Sequence, residues 1–352
     1  MGKQPSVFEF LMIFLSGIVM KSFDCVSPGA VALVKYDNGR SLAFSYGVED
    51  VESGAFITTD SIFDLASVSK QFTAFSVLLL EKAGALNLYD PIGKYIPEIN
   101  HYAADINILN LIYHTSGLPC LFDIAESKGI SFHDRYSKDD ILKGLSEQSG
   151  LIFNPGTKFE YSNTGYFLLY QIVERASGKR FADFLQENIF LPLGMSRSFL
   201  AVEGGDNSRR VTGYIKSEQG QYEVSESRWD VFGASLVYSS VNDLMKWGNN
   251  FSTGQVGGRA LIDKMLSPLS EISEHGECIS DFEPYCFGLQ AEESKSGVIY
   301  NHQGSTFGGE SHFSRSQNRG FTLAVLSNIE EYDTVDLAEK LCDGSVLFDH
   351  ID

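Results

Sequence analysis

The sequence predicts an α/β protein in which an antiparallel sheet, built from both chain termini and flanked by helices, adjoins a mainly helical lobe. Strand patterns occur near the start of the chain, helical patterns dominate the middle, and strand patterns return from residue 298. This order indicates a sheet to which both ends of the chain contribute. We predict an α/β lobe at about 1–66 and 290–352, a helical lobe at about 67–289, and a functional site in the cleft between them.

The length and charge of the chain limit what it can do. Its 352 residues exceed the roughly 250–300 at which one hydrophobic core usually stops growing, which favours two lobes. The net charge of −19 repels phosphate backbones and anionic lipids, so neither a nucleic-acid partner nor a membrane partner is expected. A hydrophobic content of 43% with 21% charged residues is typical of a globular protein and excludes disorder.

The cysteines and histidines show no metal-binding or disulfide pattern. The five cysteines include no C-x-x-C pair, the seven histidines are scattered, and H-E-x-x-H is absent. We therefore predict free thiols, no metal site and no cofactor.

The first residues could be mistaken for a signal peptide. The segment 11–20 is apolar, but Glu9 interrupts the apolar stretch upstream and no small-x-small cleavage site follows. Apolar residues at helical spacing instead predict an amphipathic first helix; they are Val7, Leu11, Phe14 and Ile18. We expect a cytoplasmic protein, with a periplasmic or secreted one as the alternative if residues 1–24 act as a signal.

The first strands are predicted to form a β-hairpin. The apolar segments Ala30–Tyr36 and Ser41–Tyr46 flank Asn38-Gly39, whose residues accept the positive φ angles of a tight turn. Further strands are predicted at Val298–His302, His312–Ser314 and Phe321–Ser327. Helices are predicted at Ser67–Leu86, Asp105–Tyr113, Lys138–Ser149, Tyr166–Ala176, Phe181–Ile189 and Thr334–Leu341.

The first candidate for chemistry is Ser67-Val68-Ser69-Lys70, at the predicted start of a buried helix. A spacing of three residues places the hydroxyl and the amine on one helix face. The N-terminal end of a helix also favours a developing anion. This placement suits a nucleophile with its base, and a serine cap beside a solvated lysine is the structural alternative.

The second candidate, Tyr161-Ser162-Asn163, lies on a predicted loop, where functional residues concentrate. A tyrosine held near Lys70 could shuttle protons, because charged neighbours shift each other's pKa. A buried tyrosine followed by a helix-capping asparagine is the alternative. The same Y-x-N pattern occurs in the turn at Tyr36, so it is not diagnostic alone.

The third candidate, His302-Gln303-Gly304-Ser305, closes a predicted strand. The glycine would let a substrate or a second backbone segment approach closely. A single histidine in a strand is more often a satisfied polar residue than a catalytic one.

Taken in this order, the three elements resemble the serine β-lactamase and penicillin-binding-protein superfamily, and specifically its class C-like branch of serine hydrolases, esterases and D-aminopeptidases. Other segments carry the same resemblance: Pro28–Val31, Ala66–Thr73, His114–Pro119, Asn154–Tyr166, Phe190–Met195, Gly233–Leu236 and Ser240–Leu244. The resemblance extends from about residue 28 to residue 328. It implies a β-lactamase-like fold and a single catalytic domain over residues 1–352.

The resemblance also implies a role for each candidate residue. Ser67 would be the nucleophile, Lys70 its base, and Tyr161 the proton carrier between nucleophile and leaving group. Asn163 would bind the amide or ester of the acyl part. The backbone N–H groups of Ser67 and Ser305, the latter just after Gly304, would form the oxyanion hole.

His302, also a candidate catalytic residue, departs from the pattern of the family's β-lactamases and carboxypeptidases. Those proteins usually have lysine at this position, which pairs with a substrate carboxylate, whereas histidine is mostly neutral at pH 7. We therefore expect substrates with a free carboxylate to react poorly. For Lys70 to act as a base, burial and positive surroundings must lower its pKa.

The sequence thus predicts a serine hydrolase that forms an acyl-enzyme on Ser67 and acts on a small ester or amide, as an esterase or a D-amino-acid peptidase or amidase does. Alternatives are an acyltransferase or peptide cyclase using the same acyl-enzyme, and a β-lactamase or DD-peptidase. A non-catalytic binding protein with this fold is the alternative from another class. The expected partner is a small-molecule ester or peptide-like substrate, and the sequence does not predict an oligomeric state.

Overall fold

The computed structural model describes residues 26–201, 210–269, 284–294 and 297–345. The helix predicted near the N-terminus lies outside these residues. Within them, no helix has both the length and the apolar character needed to span a bilayer.

The described residues form eleven β-strands, of which six make one sheet in the order β2-β1-β11-β10-β9-β8. The strands are β1 (Ala30–Tyr36), β2 (Ser41–Tyr46), β3 (Phe63–Asp64), β4 (Phe199–Leu200), β5 (Tyr214–Lys216), β6 (Tyr222–Val224), β7 (Val237–Ser239), β8 (Gln290–Ser294), β9 (Gly297–Thr306), β10 (Gly309–Ser316) and β11 (Phe321–Ser327). All neighbouring strands in the large sheet are antiparallel.

The register of this sheet brings the two ends of the described chain together. Ala30 pairs with Ser327 and Tyr36 pairs with Phe321, so β1 lies directly beside β11. The hairpin of β1 and β2 turns at Gly39, which has a φ of +92°. These pairings confirm the predicted hairpin and the predicted sheet from both termini. The division into two lobes at the stated boundaries stays a prediction.

Eleven α-helices accompany the strands in the described residues. They are α1 (Lys70–Lys82), α2 (Asn100–Ala103), α3 (Ile108–Ile112), α4 (Leu121–Ser127), α5 (Lys138–Ser146), α6 (Asn163–Ser177), α7 (Phe181–Leu185), α8 (Leu191–Leu193), α9 (Val241–Thr253), α10 (Arg259–Met265) and α11 (Thr334–Ser345). Short 3₁₀ segments occur at Ala66–Ser69, Ile92–Lys94 and Pro97–Ile99, and a π-helical segment occupies Gln186–Phe190.

Several predicted boundaries were wrong. The helix predicted from Ser67 begins with the 3₁₀ turn Ala66–Ser69, and α1 itself runs from Lys70 to Lys82. Strands β9 and β10 are longer than predicted, and β8 was missed because its sequence, Gln-Ala-Glu-Glu-Ser, is polar, as suits the edge of a sheet. The short strands β4 to β7 interrupt the region predicted to be mainly helical.

The core fixes the position of helix α1, which carries the first candidate site. Phe72 and Phe75 in this helix pack against Trp247, with ring centroids 4.8 and 5.2 Å apart. Helix α11 covers part of the sheet through Leu337 and Leu341, which join a second cluster with strand residues of β1 and β11. The start of α1 is therefore held between the helical core and strand β9.

Candidate active site

Ser67 lies in the tight 3₁₀ turn that connects β3 to α1. The preceding residue, Ala66, has a φ of +44°, which is a strained conformation for a residue with a Cβ. Asp64 holds this turn, because its Oδ1 accepts the Ala66 N–H at 2.8 Å. Burial raises the pKa of Asp64 to about 6. Ser67 thus does not sit in the first turn of the α-helix, as predicted, but in a constrained turn immediately before it.

Lys70 is fully buried, and its ammonium or amine nitrogen contacts three oxygen atoms. The Nζ lies 2.9 Å from Ser67 Oγ, 2.7 Å from Asn163 Oδ1 and 3.0 Å from the carbonyl oxygen of Ala234. Burial holds the pKa of Lys70 well below its usual range. The expected contribution of positive neighbours is absent among the causes of this shift, so the lowered pKa comes from desolvation.

Tyr161 lies over the same lysine. Its ring centroid is 4.8 Å from Lys70 Nζ, and its hydroxyl is near enough to Ser67 for the serine to influence its pKa. Although 41% of the residue is exposed, the surroundings of the hydroxyl raise the pKa of Tyr161 above its usual value. The phenol therefore stays protonated at neutral pH.

His114 accepts hydrogen bonds from the backbone on both sides of Tyr161. Its carbonyl oxygen accepts the Glu160 N–H at 2.9 Å, and its Nδ1 accepts the Ser162 N–H, also at 2.9 Å. The imidazole lies 4.5 Å from the Tyr161 ring, centroid to centroid, and His114 adopts a φ of +58°. Burial lowers the pKa of His114, so the ring is neutral with its proton on Nε2. This contact joins residues far apart in the sequence, and the H-T-S-G segment alone gave no indication of it.

Asn163 is the first residue of helix α6, but it is not the helix cap. Ser162 is the N-cap, since its Oγ accepts the Gly165 N–H at 3.1 Å. The side chain of Asn163 is thereby left to receive the hydrogen bond from Lys70. Tyr161 lies near Lys70, as supposed from the sequence, whereas the contact between Lys70 and Asn163 was not predicted.

His302 is close to these residues but faces other protein groups. Its ring centroid is 6.1 Å from that of Tyr161. The Nδ1 lies 2.5 Å from the Gln303 carbonyl oxygen, which requires an N–H there, so the Nε2 accepts from the Tyr285 hydroxyl at 3.1 Å. Burial lowers the pKa of His302 to about 3, so the residue is neutral. Because both ring nitrogens have protein partners, this geometry offers neither of them to a substrate.

Gly304 allows strand β9 to contact the turn that contains Ser67. A Cβ at this position would lie 2.8 Å from Ser67 N and 2.6 Å from the Leu65 carbonyl oxygen, so only glycine fits. The next residue, Ser305, borders the same cavity as Ser67. The sequence-based expectation that Gly304 permits a close backbone approach agrees with this geometry.

A cavity of about 250 Å³ opens beside Ser67. Asn163 and Ser305 also line it. The rest of its wall combines four aromatic rings, from Phe122, Phe132, Trp229 and Phe307, with small apolar and hydroxyl side chains. In the parts of the chain that the structure covers, no group of three or more histidine, cysteine, aspartate or glutamate residues is placed to hold a metal ion. The Ser67 hydroxyl that lines this cavity therefore has the Lys70 amine and the Tyr161 phenol close to it, outside the cavity wall.

A serine paired with a buried lysine before a helix, a Tyr-x-Asn loop and a glycine-containing strand define a protein of the β-lactamase and penicillin-binding type. The chain belongs to the Beta-lactamase family, whose model matches residues 22–341. It is 30% identical over 303 residues to penicillin-binding protein 4* of Bacillus subtilis (strain 168), covering 82% of this chain and 65% of that protein.

Other comparisons agree with this assignment. The chain is 25% identical over 308 residues to a D-aminopeptidase of Gluconobacter oxydans (strain 621H), covering 85% of this chain and 55% of that protein. The solved structure of a penicillin-binding protein from Bacillus halodurans superposes with a TM-score of 0.78 at 22% identity, over 96% of this chain and 100% of that one. This structural match confirms the predicted β-lactamase-like fold. The chain spans 65% and 55% of the lengths of the two curated relatives.

Proposed function

We propose that the protein is a serine hydrolase that forms an acyl-enzyme on Ser67 and acts on a small ester or amide, as an esterase or a D-amino-acid peptidase or amidase does. The observation that carries this proposal is the set of three contacts made by the buried nitrogen of Lys70. These contacts determine whether an N–H group or the lone pair of the neutral amine points to the Ser67 hydroxyl.

A neutral lysine amine has two N–H groups and one lone pair. Asn163 Oδ1 and the Ala234 carbonyl oxygen can only accept, so they take the two N–H groups. The lone pair is then left for the remaining neighbour, the hydroxyl of Ser67 at 2.9 Å. Because burial lowers the pKa of Lys70, this neutral form is the resting state, and the amine can accept the Ser67 proton as the oxygen attacks.

Tyr161 is suited to donate a proton to the leaving group, whereas Lys70 accepts one from Ser67. Burial raises the pKa of its hydroxyl, which rules against a phenolate base at neutral pH. A neutral phenol beside Lys70 and Ser67 can instead donate its proton to the leaving group and recover a proton from Lys70. This assignment gives Lys70 the role of base and Tyr161 the role of acid in the acylation step.

The other residues would hold the substrate. The carbonyl oxygen would lie between the backbone N–H groups of Ser67 and Ser305, where each donor typically contributes about 3–4 kcal/mol to the transition state. With the oxygen of Asn163 used by Lys70, its remaining polar group is the NH₂, which suits a carbonyl acceptor in the acyl part. Water entering with Lys70 as its base would then discharge the acyl-enzyme.

His302 bears on whether the substrate can carry a carboxylate beside the scissile bond. A neutral, internally hydrogen-bonded imidazole provides no cation for a carboxylate beside the scissile bond. This favours uncharged esters and amides over penicillins and peptides ending in a free carboxylate. The similarity to a D-aminopeptidase supports an amide as one such substrate.

The proposal is tested by intact-protein mass spectrometry after treatment with a fluorophosphonate and, separately, with p-nitrophenyl acetate. One adduct per chain is expected in the wild type and none in Ser67→Ala. Ser76→Ala is the matched control, because Ser76 is a buried serine in helix α1 that bonds to the Phe72 carbonyl oxygen, and it should label normally. An adduct that persists in Ser67→Ala would contradict the proposal.

A further inference from the structure

We infer that the cavity beside Ser67 is an acyl-group subsite that accepts an uncharged arylalkanoyl group: a phenyl ring joined through one or two methylenes to the scissile carbonyl. This inference rests on the proposed function and narrows its substrate class to esters and amides whose acyl part has no free ammonium, which sets aside the D-amino-acid peptidase form of that function. It follows from the aromatic wall of the cavity, from the groups that fix that wall, and from the pairing of the charges around it.

The wall consists of rings in mutual contact. Phe132 stacks on Trp229 with centroids 4.5 Å apart and planes 28° apart. Phe122 stacks on the same indole at 5.6 Å and 24°, and Phe307 meets Phe132 at 4.9 Å. Faces and edges of this kind bind another aromatic ring more favourably than they bind a flexible polar group.

Trp229 is the fixed part of this wall. It is 4% exposed, its indole N–H donates to the Ser131 carbonyl oxygen at 3.1 Å, and Tyr136 packs edge-on against it at 4.9 Å. The segments that carry Phe132 and Trp229 are also joined by a backbone bond from the Asp230 N–H to the Tyr136 carbonyl oxygen at 3.0 Å. The subsite is therefore formed before a substrate arrives.

Charged groups do not line the cavity. None of the described residues on its surface is acidic or basic. Asp230, next to Trp229, is paired with Arg135, whose two terminal nitrogens donate to both carboxylate oxygens at 2.8 and 2.6 Å. Glu310 approaches the site outside the cavity wall, where its Oε1 accepts from Ser305 Oγ at 2.8 Å and from the Glu331 N–H. A substrate ammonium or carboxylate would enter this cavity without a partner, at a large desolvation cost.

The size of the cavity suits one ring with a short linker. An apolar protein cavity of about 150 Å³ holds benzene. The volume here, about 250 Å³, leaves room for the linker that must reach from such a ring to Ser67. A two-carbon acetyl group would leave most of the aromatic wall in contact with water.

The test compares p-nitrophenyl 3-phenylpropanoate with p-nitrophenyl acetate, each corrected for its rate of hydrolysis by hydroxide. Burial of the phenyl group should raise kcat/KM about 30- to 100-fold over the acetate ester. Phe132→Ala removes a ring that is 40% exposed at the rim and should lower this ratio about 5- to 10-fold. Phe56→Ala, at a ring that is 79% exposed and does not line the cavity, should leave the ratio unchanged.

A second arm tests the charge preference with phenylalanine methyl esters of both configurations, either N-acetylated or with a free ammonium group. The acetylated esters should react at least about tenfold faster in kcat/KM, because the cavity has no anion for the ammonium. A preference for the free ammonium that Glu310→Gln abolishes would overturn the inference and assign recognition to Glu310.

The outcomes separate this inference from the proposed function. If the acetate ester acylates Ser67 but the phenylpropanoate ester is no better, the subsite is wrong and the acyl-enzyme stands. If neither ester acylates Ser67, the proposed function fails and the subsite with it.

Discussion

The two sides of Ser67 are built in opposite ways. On one side lie Lys70, Tyr161, His114 and His302, four titratable groups whose charged forms burial disfavours. On the other side the described cavity wall combines four aromatic rings with small apolar and hydroxyl side chains, and none of its residues is acidic or basic. If both proposals hold, desolvation has two different effects around one serine: it shifts pKa values on one side and favours an uncharged acyl group on the other.

The two sides also differ in how they are held. Hydrogen bonds fix the first side, with Lys70 and His114 each engaged by several partners. Ring stacking fixes most of the second side, and Phe132 remains partly exposed. Substitutions on the first side should therefore act on kcat, and those on the second side on the choice of acyl group.

The largest effect is expected from Lys70→Arg, which removes the base while keeping a cation. A guanidinium does not deprotonate usefully, and it would bring a permanent charge into a buried position. We expect kcat/KM for an activated ester to fall by about three orders of magnitude. Lys82→Arg, an exposed substitution at the other end of α1, is the control. Wild-type rates in Lys70→Arg would show that another group is the base. They would also contradict the assignment of proton transfer to the Lys70 side of Ser67.

A smaller effect is expected at His114, as a positioning residue for Tyr161. His114→Ala removes the acceptor for the Ser162 N–H, and alanine tolerates the φ of +58° poorly. We expect kcat to fall about 10- to 100-fold with little change in KM, as for the loss of an oriented proton-transfer group. His114→Asn is the matched variant, because asparagine keeps an acceptor near the Nδ1 position and accepts positive φ. Equal losses in both variants, or a loss confined to KM, would show that His114 does not act through Tyr161.

The smallest effect concerns a carboxylate beside the scissile bond. Two esters that differ only in this group should differ about tenfold in kcat/KM in favour of the uncharged one, since a charge-assisted hydrogen bond is roughly twice as strong as a neutral one and His302 provides no charge. The measurement is steady-state kinetics with the pair in low salt. A preference for the carboxylate ester would restore the β-lactamase or DD-peptidase alternative.

Local chemistry explains what the sequence could predict. The hairpin at Asn38-Gly39 and the Ser67-Lys70 pair each depend on neighbours within four residues, and both occur where predicted. The predicted proximity of Tyr161 to Lys70 came from the family resemblance, which carried long-range information that spacing alone does not.

The features that escaped prediction depend on contacts between distant segments. The hydrogen bonds from the backbone N–H groups of residues 160 and 162 to His114 form only after α3 and the start of α6 are packed together. The aromatic wall combines Phe122, Phe132, Trp229 and Phe307, four residues from separate parts of the chain with no shared periodicity. The hydrogen bond between His302 and the Tyr285 hydroxyl likewise could not be predicted from strand alternation, because alternation indicates that a side chain is buried but not which group it bonds to.

The central claim is that the buried amine of Lys70 is neutral in the resting protein. Its most direct test is a pH titration by NMR of protein labelled with ¹³C at lysine Cε, with the Lys70 signal assigned from Lys70→Arg. Desolvation disfavours the charged form of a lysine, so the Lys70 signal should already have the neutral shift at pH 7 and should titrate well below all other lysine signals. A Lys70 signal that keeps the charged shift until the other lysines titrate would contradict the account.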